Sequence, residues 1–105
     1  IVPYVYKNNN VVNAVQWDDR DLPVCRDPIE PLPDRFLVEF PADFQTIRRV
    51  DGALAVAWRL HLRSICEAAF VSGFTVIDYV HEGGPHARSF YVMQRIDSNE
   101  RALNA

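Results

Sequence analysis

Two arginines four residues apart, Arg59 and Arg63, stand in the run WRLHLRSICEAAF. On a helix that spacing points both side chains the same way. A pair of guanidinium groups can clamp a carboxylate or a phosphate bidentately. Arg59 and Arg63 are therefore candidates for gripping an anionic small molecule. The plainer reading is a solvated stripe in which Arg63 pairs with Glu67, and spacing alone favours it, because exposed helix ion pairs are common and weak. Asp78 is the next candidate, since it interrupts the apolar run FTVIDYV. A carboxylate in a strand lies at an edge, is satisfied by a neighbour, or is functional with a shifted proton affinity. Arg35, Arg88 and Arg95, on other strand-like segments, are the expected partners.

HEGGPH, residues 81–86, resembles a metal motif only at first sight. Zinc proteases place two histidines four apart on a helix, so that both face the metal. Here His81 and His86 are five apart, and Gly83, Gly84 and Pro85 forbid a helix, so a solvated hairpin loop is favoured over a metal site. His61 lies beside the apolar stripe of its helix, as a boundary histidine would. Cys66 lies on the apolar side of the same helix with no base assigned to it, which suits the core better than a nucleophile. Trp17 and Tyr4 read as core aromatics. No phosphate-binding glycine loop, nucleophile elbow or Cys-x-x-Cys pair occurs, so the catalytic residues are unknown at this level and no metal is implied.

These residues need elements to hold them. VPYVY and VVNAVQW flank the turn signal KNNN, which predicts a hairpin over residues 1–17. Residues 18–34 contain four prolines and six acids, a density that predicts a long surface loop. A core follows over residues 35–96. In RFLVEF, Phe36, Val38 and Phe40 alternate with Arg35, Leu37 and Glu39, which predicts a strand with one apolar face. Pro41 and Asp43 suit the start of a short helix. Asp51 and Gly52 end it, and Asp51 can cap the next helix. A long helix over about 53–72 carries Leu54, Trp58, Leu62, Ile65 and Ala69 as a buried stripe. Arg59, Arg63 and Glu67 form a polar stripe a quarter-turn away. Gly73 suits a left-handed stop. Strands over 74–80 and 88–96 then pair antiparallel, with Phe74, Val76, Asp78 and Val80 on one face of the first. Residues 97–105 read as a polar tail. The fold class expected is α+β, bordering on α/β: one domain with a small mixed, mostly antiparallel sheet covered by one long helix.

Composition narrows the partners. The 105 residues are 49% apolar and 24% charged, with a net charge of -3, which is the profile of a globular domain. An acidic chain is a poor nucleic-acid platform, and no apolar run approaches the roughly 20 residues of a membrane span. Two cysteines, Cys25 and Cys66, are too few for a disulfide framework, and reduced thiols in the cytoplasm are expected. A first residue of Ile and not Met is what a processed or partial chain would show.

The middle of the chain resembles a known family. VEFPADFQTIRRVDGALAVAWRLHLRSICEAAFVSGFTVIDYV, followed by SFYVMQR, is similar to the C-terminal region of bacterial predicted GNAT-superfamily N-acyltransferases. The positions that carry the likeness are Pro41 to Gln45, Ala53 to Ala55, Trp58, Arg59, Arg63, Gly73, Phe74, Asp78 and Tyr79, within roughly residues 36–95. LPDRFLVEF is also similar to an LP-x-DR-x-x-VEW segment that those proteins carry further upstream, here merged with the first. The pyrophosphate-holding loop of GNAT enzymes, [QR]-x-x-G-x-[GA] at a helix N-terminus, is missing from this chain.

The resemblance implies a C-terminal portion or a stand-alone relative of an N-acyltransferase. Such a chain would supply sheet and acceptor-side surface, with Trp58, Arg59, Arg63 and Asp78 as the residues facing an anionic acceptor. It would take acyl-CoA only with an N-terminal half as partner, and the isolated chain would be inactive. The alternative is a non-enzymatic α+β interaction module, a homodimer through an open sheet edge.

Overall fold

The computed structural model describes residues 10–96. Its elements are β1 (Gln16–Trp17), β2 (Pro23–Val24), β3 (Arg35–Pro41), α1 (Phe44–Val50), α2 (Gly52–Val71), β4 (Phe74–Glu82) and β5 (Arg88–Arg95). This is a small mixed α+β domain with two helices and antiparallel sheets. The first arm of the hairpin expected over 1–17, with Tyr4, lies outside the described residues, and so does the tail 97–105.

The helix boundaries follow from side chains that replace missing backbone partners. Asp43 caps α1, its Oδ1 accepting from the Thr46 N–H at 3.1 Å. Asp51 serves both helices. Its own N–H closes α1 on the Ile47 carbonyl at 2.7 Å, and its Oδ1 accepts from the Leu54 N–H at 3.0 Å to open α2. Arg20 reaches over from the 18–34 loop to the same carboxylate at 3.0 Å. At the far end, Gly73 takes the left-handed conformation, φ 91°, and donates to the Phe70 carbonyl at 3.1 Å. That stop turns the chain straight into β4.

The main sheet has the order β3-β5-β4, antiparallel throughout, so the last strand is inserted between the first two. Val11 adds an isolated parallel bridge to Leu37 on the outer side of β3. Paired residues share a face, which divides the core in two. On the helix side, Phe36, Val38, Phe74 and Met93 pack with Ile65 and Ala69 of α2 and with Val12. On the other side lie Leu37, Val80, Phe90 and Val92, with Val11 against them. Both faces of β3 are thus buried, and Glu39, expected on an open face, is only 1% exposed.

β4 also departs from strict alternation. Val76 sits opposite Met93, whereas Asp78 sits opposite Val92, with a bulge between them. Ile77 is the extra residue, and it flips the remainder of the strand. Asp78 therefore shares a face with Val80 but not with Phe74 and Val76. Tyr79 and His81 join the helix-side face instead.

The proline-rich loop is laid against the core. Two-residue β1 and β2 pair antiparallel, which Pro23 permits because so short a ladder leaves room for its missing donor. Asp18 organises the turn between them, its Oδ1 accepting from the N–H groups of Arg20 at 2.8 Å and Leu22 at 3.0 Å. Those bonds, led by the one from Leu22, hold its carboxyl below the usual range. Asp21 adopts φ 58°, a left-handed conformation that a short Asx side chain tolerates. Leu22 is buried in a third cluster with Ile47, Ala55 and Trp58.

Candidate functional site

Trp58, Arg59, Arg63 and Asp78 do not converge. Trp58 is 0% exposed, and its indole N–H donates to the Pro23 carbonyl at 2.9 Å. It fastens the 18–34 loop to α2 and lies out of a ligand's reach. Its neighbours Arg59 and Arg63 do point outward. The Arg59 guanidinium lies 5.5 Å from the centroid of the Phe44 ring in α1. Among the described residues no carboxylate pairs with it. Arg63 pairs with Glu67 at 2.9 Å, as the spacing predicts, with both side chains largely in water. Asp78 is exposed in the bulge, where its Oδ1 accepts from the Tyr79 N–H at 2.7 Å. Two of its three expected partners turn elsewhere: Arg88 bonds Glu39 and Arg95 bonds Asp34, each at 2.8 Å.

The two histidines of HEGGPH diverge as well. His81 lies in β4, its Nδ1 3.1 Å from the Ser89 hydroxyl, which the Tyr79 hydroxyl also approaches at 3.3 Å. A serine beside a histidine suggests an activated nucleophile. Ser89 is only 1% exposed, so its hydroxyl ties the two strands together and offers no open point of attack. His86 stacks on Trp17 with ring centroids 4.1 Å apart and approaches Asp21 at 3.3 Å. Among the described residues, no group of three or more His, Cys, Asp or Glu could hold a metal. Cys25 and Cys66 are free thiols, and burial pushes both up, away from the thiolate.

The tightest polar assembly centres on Glu39 and Asn13, which nothing local in the sequence singles out. The Glu39 carboxylate accepts twice from the Arg88 guanidinium, both at 2.8 Å, and once from the Val15 N–H at 3.0 Å. Asn13, 1% exposed, continues the edge of β3 with its side chain. Its Oδ1 accepts from the Glu39 N–H at 2.7 Å, and its Nδ2 donates to the Glu39 carbonyl at 2.9 Å. That pair of hydrogen bonds, one accepted and one donated, fixes which way the amide points. The atom facing His61 Nε2 at 3.1 Å is therefore an N–H donor, so His61 accepts through Nε2 and is neutral there. Burial likewise pushes the His61 imidazole below its ordinary value, and Asp27 opposes the shift more weakly. The network joins β5, β3, residue 13 and α2. The only sequence signal for it was an acid inside an otherwise apolar strand.

Several recesses lie among the described residues, two of which matter here. A cleft of about 250 Å³ lies between Trp17, Pro23, Asp43 and Thr46 and the β4–β5 loop at Pro85. A shallow groove of about 440 Å³ runs along the outside of α2, lined by Leu60, Arg63, Ser64, Glu67, Ala68 and Val71. Beyond the helix, the helix-side face of the sheet exposes Tyr79 and Tyr91, which gather round Phe40 with centroids 5.9 and 4.5 Å from its ring. No helix among the described residues is long and apolar enough to cross a membrane. Compared with protein-family models, curated proteins and solved structures, the chain matches none.

Proposed function

We propose that this chain is the C-terminal portion, or a stand-alone relative, of a GNAT-like N-acyltransferase acting in the cytoplasm. It contributes sheet and acceptor-side surface, and an N-terminal half would have to supply the acyl-CoA pyrophosphate loop. One observation supports this reading above the others. The run β3–α1–α2–β4–β5, Arg35 to Arg95, spans the residues that carry the resemblance, with a strand up to Pro41, a helix holding Ala53 to Arg63 and a strand holding Phe74 to Tyr79. Arg59, with no carboxylate beside it among the described residues, is the arginine available to an anionic acceptor, whereas the charge of Arg63 is already answered by Glu67. Calorimetric titration tests this. Acyl-CoA should give no heat with the isolated chain, and N-acyl amino acids should bind more weakly to Arg59→Ala. Acyl-CoA binding by the isolated chain would overturn the missing-loop argument. Absence of acceptor binding, even with an N-terminal half supplied, would remove the role of Arg59.

The second reading is a non-enzymatic interaction or dimerisation module. It is favoured by the large apolar side chains that α2 and β4 leave in water, among them Leu60 at 60% and Val71 at 85% exposure. A monodisperse, concentration-independent monomer would count against it.

A further inference from the structure

Two of the apolar surfaces that lack a covering among the described residues differ in what they could accept. The β4 edge exposes Val76, Ile77 and Tyr79. It is also bulged beside Asp78. Pairing it antiparallel with a second β4 about Val80 would set Asp78 opposite Glu82 of the other copy, a repulsive pair. Bulges and charges of this kind guard an edge against pairing.

The outer face of α2 carries no bulge, and its two charges along the groove, Arg63 and Glu67, are of opposite sign. A helix with one face on the core usually presents a charged face to water. Among the exposed residues of α2 only Arg59, Arg63 and Glu67 are charged, whereas Val56, Leu60, Phe70 and Val71 are large and apolar. The groove along that face is lined by Leu60, Arg63, Ser64, Glu67, Ala68 and Val71. Their spacing of three and four residues makes one continuous stripe. The stripe is symmetric about its own middle, level with Ile65 and Cys66. Laid antiparallel on a copy of itself, it sets Leu60 against Val71, Ser64 against Glu67 and Arg63 against Ala68. Arg63 of each chain then lies within reach of Glu67 of the other. The in-helix ion pair becomes a ring of alternating charge around the axis.

We propose that the outer face of α2 is the interface of a homodimer in which two copies pack α2 against α2, antiparallel, about a two-fold axis at that point. The interface is isologous, each chain offering the same patch. Leu60 and Val71 supply the buried apolar surface, and Arg63 with Glu67 sets direction and register. A single stripe of about three turns lies at the small end of specific interfaces, so association depends on concentration. The proposal gives the second reading above its surface and leaves the first intact. Calorimetry with acyl-CoA and a measurement of mass succeed or fail separately.

Sedimentation equilibrium between about 1 μM and 1 mM, the range such small interfaces reach, decides it. The wild-type chain should pass from the mass of one chain to that of two. Leu60→Lys, on an exposed helix position, should keep the wild-type circular dichroism and stay monomeric. Arg63→Glu and Glu67→Arg should each self-associate at least about tenfold more weakly than wild type, since each brings like charges together. An equimolar mixture of these two variants should associate again, because the signs then oppose across the axis. A wild-type chain that stays monomeric up to the highest concentration overturns the proposal. So does a Leu60→Lys variant that associates like wild type, which would place association on another surface, or a mixture that shows no recovery.

Discussion

The three-stranded sheet carries two carboxylates that look alike in the sequence and behave in opposite ways. Glu39, on β3, is enclosed and takes three hydrogen bonds, two of them from Arg88. Asp78, on β4, stands in a bulge at the exposed edge. Each interrupts an apolar strand. Asp78 reads as a candidate because its strand is apolar on both sides of it, while Glu39 falls on the face that alternation assigns to water. The enclosed carboxylate belongs to a joint that includes Asn13 and His61 and lies near Trp58, whose ring centroid is 5.4 Å from that of His61. The exposed one belongs, with Arg59 and Arg63, to surface that costs the fold little. An acid in a strand therefore signals function or structure only once the neighbouring strands are known.

That contrast can be broken from its strongest member downward. Trp58→Ala should lower unfolding stability by about 4 kcal/mol, the cost of emptying a large aromatic site. Chemical denaturation would measure it, and a loss below 1 kcal/mol would mean that Trp58 does not anchor the loop. Glu39→Gln comes next, at about 3 kcal/mol. That is the low end for removing one member of a buried pair, because Arg88 keeps about a third of its side chain in water. Adding Arg88→Met should regain part of that loss, since no unmatched charge then remains. Strict additivity of the two changes would show that the pair is uncoupled.

The His61 contact should appear as a pH dependence. Its folded-state affinity for a proton is lowered, so the unfolded chain binds the proton more readily. Stability should be full above the ordinary imidazole range and fall as pH drops through that range toward the lowered value. His61→Gln should flatten this part of the profile between about pH 7.5 and 5.5. Identical slopes in the two proteins would remove the assignment of a neutral His61. The smallest effect is expected at the surface: Asp78→Asn should change stability by no more than about 0.5 kcal/mol. A change as large as that at Glu39 would erase the distinction between the two carboxylates.

Much of the frame was legible along the chain. Asp43, Asp51 and Gly73 mark helix ends through local chemistry alone, and the apolar stripe on α2 follows from the periodicity of one helix. The long loop was legible as a break but not as a packed layer, because proline disfavours long ladders without excluding the two-residue pairing at Pro23 or the burial of Leu22 and Pro23. The Glu39 joint was not legible. Its partners stand 26, 24 and 49 residues away, and no local rule links them.

The sequence by itself determined where helices start and stop, which side of α2 meets the core, and that Arg63 meets Glu67. All of these depend on residues within about one or two helical turns of each other. Only the tertiary structure decided the rest. Pairing β5 with β3 brought Arg88 to Glu39, and residues 11–15 packed along β3, turning Glu39 from a surface acid into an enclosed ion-pair partner. One extra residue at the bulge reversed the face of every residue after Ile77, because strand side chains alternate with a period of two. The exposed apolar side chains on the outer face of α2 likewise stand out only once the sheet has claimed the opposite side of the helix.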